Sequence, residues 1–217
     1  MRTLAKITLL AFFSLGICPQ AYPAFHSSGD PFAFEASIAT GLGITVILHQ
    51  NSSTGPEVSS MNFGNLVEFV NPVTGGKTLR SSTQGSTGTG SIVAMIYPAA
   101  SGTNVPYHVD CSGGSLVNSS GATLPTGACI VTPVYSPEDN NFGAGGVPIA
   151  GTLGAGGSWV VASPGRRIFT SNAAADYRAI QAHFAITDDT AAGATQAVPI
   201  NQPGGNYQGT VVFTITE

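Results

Sequence analysis

The sequence predicts an all-β protein, a sandwich or barrel of short strands, and three observations point that way. From Phe32 to Leu48 every even position except Thr40 is apolar, a period of two rather than 3.6. Short apolar segments then recur along the chain between clusters of Gly, Ser, Asn and Pro, the spacing of strands joined by turns. The composition agrees: 28 Gly and 14 Pro among 217 residues, with 8 % charged residues against a usual share of about 25 %.

The elements follow in chain order. Gly41 and Gly43 interrupt the first alternating run, and strands average only about five or six residues, so the run divides into extended segments over 32–40 and 42–49. The first sets Phe32, Phe34, Ala36 and Ile38 in one row. Further strands are expected at NLVEFV (65–70), SIVAMIY (91–97), VPYHVD (105–110), CIVTPVY (129–135), SWVVAS (158–163), RRIFTS (166–171), AIQAHFAIT (179–187) and GTVVFTITE (209–217). Only NAAADYRAIQAHF admits a helix, with Tyr177, Ile180 and Phe184 on one face. Arg178, Ile180, Ala182, Phe184 and Ile186 alternate equally well, and the all-β surroundings favour a strand. In the last strand Val211, Phe213 and Ile215 are expected to face a core, with Val212, Thr214 and Thr216 turned away. RSSTQGSTGTGS and SPEDNNFGAGG read as loops, and no repeat with a period of roughly 20 to 50 residues is visible.

The N-terminus has the order of a secretory signal peptide: Arg2 and Lys6, an apolar core from Ile7 to Ile17, then Pro19, Ala21, Pro23 and Ala24. That core of eleven residues is well short of the roughly 20 a spanning helix needs. Cleavage between Ala21 and Ala24 makes the mature chain an exported one and removes Cys18, whose neighbour Ile17 is too large for a lipid-attachment motif. Cys111 and Cys129 then form an even pair in an oxidising compartment, and a disulfide is the natural reading, worth roughly 3 kcal/mol for a loop of this size. Two free thiols or half a metal site are the alternatives, though no C-x-x-C and no nearby histidine pair supports zinc. Loss of the signal leaves five basic residues against eleven acidic ones and takes the formal charge from −4 to −6. So thinly charged and acidic a surface argues against nucleic acid, which demands a clustered basic footprint.

Candidate chemistry is sparse. His108 with Asp110, and His183 with Asp188 and Asp189, are the pairs a catalytic reading would choose, but no G-x-S-x-G elbow singles out a nucleophile. The acidic pairs Glu138–Asp139 and Asp188–Asp189 sit in turn-like stretches, as solvated charge or, less readily, as calcium ligands. GTLGAGG (151–157) lacks the Lys of a phosphate-cradling loop and reads as a turn. Trp159 is either a core plug or, with the tyrosines, a sugar platform. No catalytic, cofactor or metal residue is assigned, and no enzymatic activity is expected.

With MNFGNL (61–66) after an N-terminal alternating segment, GTLGAGG in mid-chain and the ending GGNYQGTVVFTITE, the chain resembles subunits of bacterial fimbriae and the related exported pilin-like families with an L-x-F-G motif. The resemblance implies an immunoglobulin-like, pilin-like β-sandwich with long Gly/Ser-rich loops, a disulfide, passage through the periplasm, and a place in a fimbrium at the cell surface. It divides the chain into a signal peptide (1–24), an N-terminal extended segment able to act as a donor strand (25–40) and a sandwich domain (41–217). Gly204, fourteen residues from the end, occupies the place of the terminal glycine of chaperone–usher pilins, with Tyr207, Val211, Phe213 and Ile215 following in the terminal motif. Thr216 departs from that motif, which has Tyr there, and Cys111 is mid-chain where many pilins place their first cysteine near the N-terminal strand. The implied partners are other copies or other fibre subunits, a periplasmic chaperone and an outer-membrane usher. Strand addition suits the row Phe32, Phe34, Ala36 and Ile38: main-chain hydrogen bonds give affinity and alternate side chains give specificity, each buried one worth roughly 1.5–3 kcal/mol. The expected function is a structural fibre subunit with an adhesion role. The alternative is a monomeric secreted or periplasmic binding protein directed at carbohydrate.

Overall fold

The structure, a computed structural model, describes residues 32–37, 42–72, 74–81, 92–100, 106–136, 151–161, 165–172 and 179–217. The signal segment, Cys18, Ile38, Glu138, Asp139, Tyr177 and Arg178 lie outside the described residues. The strands are β1 (Phe32–Ser37), β2 (Leu42–Gln50), β3 (Glu57–Val58), β4 (Leu66–Val70), β5 (Lys77–Ser81), β6 (Ile92–Ala100), β7 (His108–Gly113), β8 (Cys129–Tyr135), β9 (Gly151–Leu153), β10 (Gly157–Ser158), β11 (Arg166–Ser171), β12 (Ile180–Ile186), β13 (Val198–Pro199) and β14 (Gly209–Thr216).

They form an all-β sandwich. One sheet has the order β1-β14-β7-β11-β9 and the other β10-β8-β12-β6-β2-β3. Every pairing is antiparallel except that of β1 with β14, which is parallel. The inner faces share one core: Val109, Cys111, Val211, Phe213 and Ile215 from the first sheet, and Leu42, Ile44, Ile92, Ile96, Val131, Ile180 and Phe184 from the second. A third, three-stranded sheet of order β13-β5-β4 sends Val198, Leu79 and Leu66 against the same core.

Alternation explains the clearest strands. In β14 Val211, Phe213 and Ile215 are buried while Val212, Thr214 and Thr216 are half-exposed, as the period of two requires. The stretch 179–187 is indeed a strand over Ile180–Ile186, the central member of its sheet. GTLGAGG crosses between sheets, ending β9 in the first and opening β10 in the second. Gly154 makes the crossing feasible, since a Cβ there would sit 1.9 Å from the Arg167 carbonyl oxygen.

SWVVAS is not the strand expected. Among the described residues of this stretch only Gly157 and Ser158 pair, and the chain then bends, with the Val161 N–H donating to the Trp159 carbonyl at 2.9 Å. The indole is the reason: Trp159 is fully buried, stacked on Phe63 at 5.6 Å and edge-on to Phe184 at 5.3 Å, so the backbone turns to deliver it into the core. It is a core plug and cannot serve as a surface platform for sugar. Conversely, β5 arises from KTLRS, which has one strong apolar residue and no alternation to announce it. Its pairing with β4 recruits it, helped by Arg80 lying over the Phe69 ring at 3.4 Å.

The expected disulfide is also corrected. Cys111 and Cys129 are both buried free thiols. Cys111 belongs to β7 and Cys129 opens β8, so a bridge would have to cross between the sheets. Burial pushes the Cys129 thiol up to about 12 and raises that of Cys111 as well, so both stay protonated and inert at neutral pH.

Candidate functional site

The first candidate feature is the seam along β14. One edge of this strand pairs with β7, placing Phe213 opposite Cys111 and Ile215 opposite Val109. The other pairs with β1, with Phe32 opposite Gly209, Phe34 opposite Val211 and Ala36 opposite Phe213. Phe32, Phe34 and Ala36 of the proposed donor strand therefore lie alongside the chain's own C-terminal strand, at the end of the five-stranded sheet. From there the chain passes to β2 in the opposite sheet.

Gly204 and Tyr207, grouped in sequence with the terminal strand, lie instead in the loop that leads into it. The Tyr207 hydroxyl donates to the Pro203 carbonyl and accepts from Gln202 Nε2 at 2.8 Å. Gln202 Nε2 also reaches the Thr123 carbonyl at 3.0 Å, and Asn118 Nδ2 donates to the Gly204 carbonyl at 3.1 Å. Asn118 is itself buried and held: its Oδ1 accepts from the backbone N–H groups of Ser120 and Ala122 and from the Ser120 hydroxyl, at 2.8–3.0 Å. The sequence VNSSG carried a turn signal at this Asn, but nothing local marked it as the anchor of a loop 86 residues away.

That loop forms one wall of a cleft of about 790 Å³, and residues 62–67 form the other. The two motifs that stood out in the sequence, MNFGNL and GGNYQG, thus face each other. Asn62 Oδ1 accepts from the Gly64 N–H at 2.9 Å, closing a turn in which Gly64 has φ 65°, the left-handed region where glycine is strain-free. The Phe63 carbonyl accepts from the Ser81 hydroxyl at 2.7 Å. The Phe63 ring starts an aromatic series through Trp159 and Phe184 to Phe213, the last pair at 6.0 Å and 87°. One motif is thereby coupled through the core to the terminal strand. Leu116, Leu124 and Ile186 lie nearly buried beneath the cleft, its accessible apolar lining comes from Leu66, Val67, Pro203 and Tyr207, and no charged side chain lines it among the described residues.

The catalytic pairs considered above do not assemble. Asp110 is buried and pairs with Arg167 Nε at 3.2 Å rather than with His108, whose Nδ1 is buried without a hydrogen-bond partner among the described residues. His183 Nε2 meets Gln181 Oε1 at 2.9 Å, and burial lowers the pKa of that imidazole below its ordinary value. Asp188 accepts from Arg80 and from the Thr78 hydroxyl, and Asp189 caps a short 3-10 turn through the Ala191 N–H at 2.9 Å. Among the described residues no cluster of three His, Cys, Asp or Glu side chains could hold a metal ion. No protein-family model, no curated protein and no solved structure matches the chain.

Proposed function

We propose that the protein is an exported structural subunit of a bacterial surface fibre, joined to its neighbours by strand addition. One observation supports this most: the second edge of β14 is completed by the chain's own N-terminal segment, in the only parallel pairing of either main sheet among the described residues. A β14 edge without that segment presents a row of unpaired N–H and C=O groups over the hydrophobic core. A segment from a neighbouring copy satisfies it by the same main-chain hydrogen bonds. Self-association, with a chaperone guarding the edge and an usher in the outer membrane during export, is the partnership this reading requires.

Two truncations of the mature chain test it. Removal of residues 25–40 should leave a folded β domain that forms no filaments and that binds a synthetic 25–40 peptide added in trans. Removal of residues 209–217 should prevent folding, because Val211, Phe213 and Ile215 leave the core. Circular dichroism, size-exclusion chromatography and electron microscopy read the outcomes. Filaments from the first truncation overturn strand donation by this segment.

A further inference from the structure

The cleft between the two motifs has work that the fibre reading does not use. Its volume of about 790 Å³ lies within the roughly 300–1,000 Å³ typical of ligand sites. The side-chain amides around it divide into two groups. Those of Asn62, Asn118 and Gln202 are spent on holding the walls. Those of Asn65, Asn206 and Gln208 line or rim the cleft, are exposed, and make no side-chain hydrogen bond among the described residues.

Each free amide offers one acceptor oxygen and two N–H donors, the complement of a hydroxyl group, which both donates and accepts. A charged ligand entering here would lose hydration and meet no counter-charge. An aliphatic ligand would cover the exposed apolar lining of Val67 and Pro203 but leave the amides unpaired. A molecule with neutral hydroxyls on one side and C–H groups on the other satisfies both surfaces. An extended peptide fits less well, because such partners dock through strand main chain, and the Gln208 N–H and C=O are already both bonded to Val117.

We infer that this cleft binds a neutral carbohydrate, with Asn65, Asn206 and Gln208 contacting its hydroxyls and Leu66, Val67, Pro203 and Tyr207 its C–H groups. One wall is fixed beforehand by the Asn118 and Gln202 hydrogen bonds and the other by those of Asn62 and Ser81, so little ordering opposes binding. The inference stands whether or not the chain polymerises.

The experiment is a titration of the mature full-length chain with neutral oligosaccharides of mannose, galactose, glucose and N-acetylglucosamine. Sialylated and sulfated counterparts and uncharged peptides are titrated alongside, followed by calorimetry and by NMR of the side-chain amides. At least one neutral oligosaccharide should bind with a Kd below about 1 mM and shift the amide resonances of Asn65, Asn206 and Gln208. Asn65→Ala and Gln208→Ala should each weaken it by roughly tenfold, the loss expected for one or two hydrogen bonds, with the melting temperature unchanged. The inference is overturned if no neutral oligosaccharide binds at that level, if the charged sugars or peptides bind more tightly, or if both variants bind as well as the parent.

Discussion

The C-terminal strand of the five-stranded sheet and the central strands of the six-stranded sheet solve burial differently. In β14 every second residue reaches the core and the others remain half-exposed. In β6 all residues from Ile92 to Ile96 are at most 1 % exposed, and in β12 every residue but His183 is buried. One strand therefore has a single buried face, and the other two are covered on both. Alternation in a sequence announces only the first kind, because solvent on one face is what keeps polar residues there. A doubly covered strand reads as a continuous apolar run, and any polar group it carries must find a partner in the same layer. Gln181 Oε1 and His183 Nε2 do so with each other, while the buried Gln181 Nε2 has no hydrogen-bond partner among the described residues.

The aromatic series that crosses both sheets offers the strongest way to break this contrast. Trp159→Ala removes the ring packed between Phe63 and Phe184 and should cost about 3–5 kcal/mol in urea unfolding, with the two sheets still unfolding together. Next, Met95→Ala, on the second face of β6, should cost about 2–5 kcal/mol, whereas Val212→Ala, on the half-exposed face of β14, should stay within about 0.5 kcal/mol. Equal losses at the two positions would remove the distinction between the sheets.

A smaller effect sharpens the same comparison through pH. The folded pKa of His183 lies below the ordinary value of 6.5 because burial disfavours the imidazolium. The unfolded chain therefore binds the proton more readily. The stability from this group is fully present above about pH 6.5 and declines as pH falls below it toward the lowered folded value. Thermal melts between pH 8 and 5 should show that decline, and His183→Gln should flatten it. The smallest expected change is none: native protein treated with iodoacetamide at neutral pH should stay unmodified at Cys111 and Cys129, and unfolding should make both reactive. Intact mass two hydrogens short would instead restore the cross-sheet bridge.

Much of the fold was legible in the residues themselves. β2, β8, β11, β12 and β14 fall where period two or a bounded apolar run placed them. The failures have local physical causes. KTLRS has too little apolar surface to signal a strand, and SWVVAS has the right residues but leaves the sheet after Ser158, where the Trp159 indole enters the core. The candidate cleft was half legible: MNFGNL and GGNYQG were noticed as motifs, with nothing in either to say that they face one another. Asn118, Gln202 and the free amides were invisible as a group because they come from three separate stretches of chain.

The sequence by itself determined the class of the protein, its turns, and which side of β14 enters the core, because those follow from side-chain period and from the freedom of glycine at points such as Gly64. Only the tertiary structure decided which strands meet. Backbone hydrogen bonds are the same for every residue, so nothing local told β1 to lie parallel to a strand some 175 residues later. The thiols obeyed the same division: export chemistry favoured a bridge, and the structure has Cys111 and Cys129 as buried free thiols on strands of different sheets.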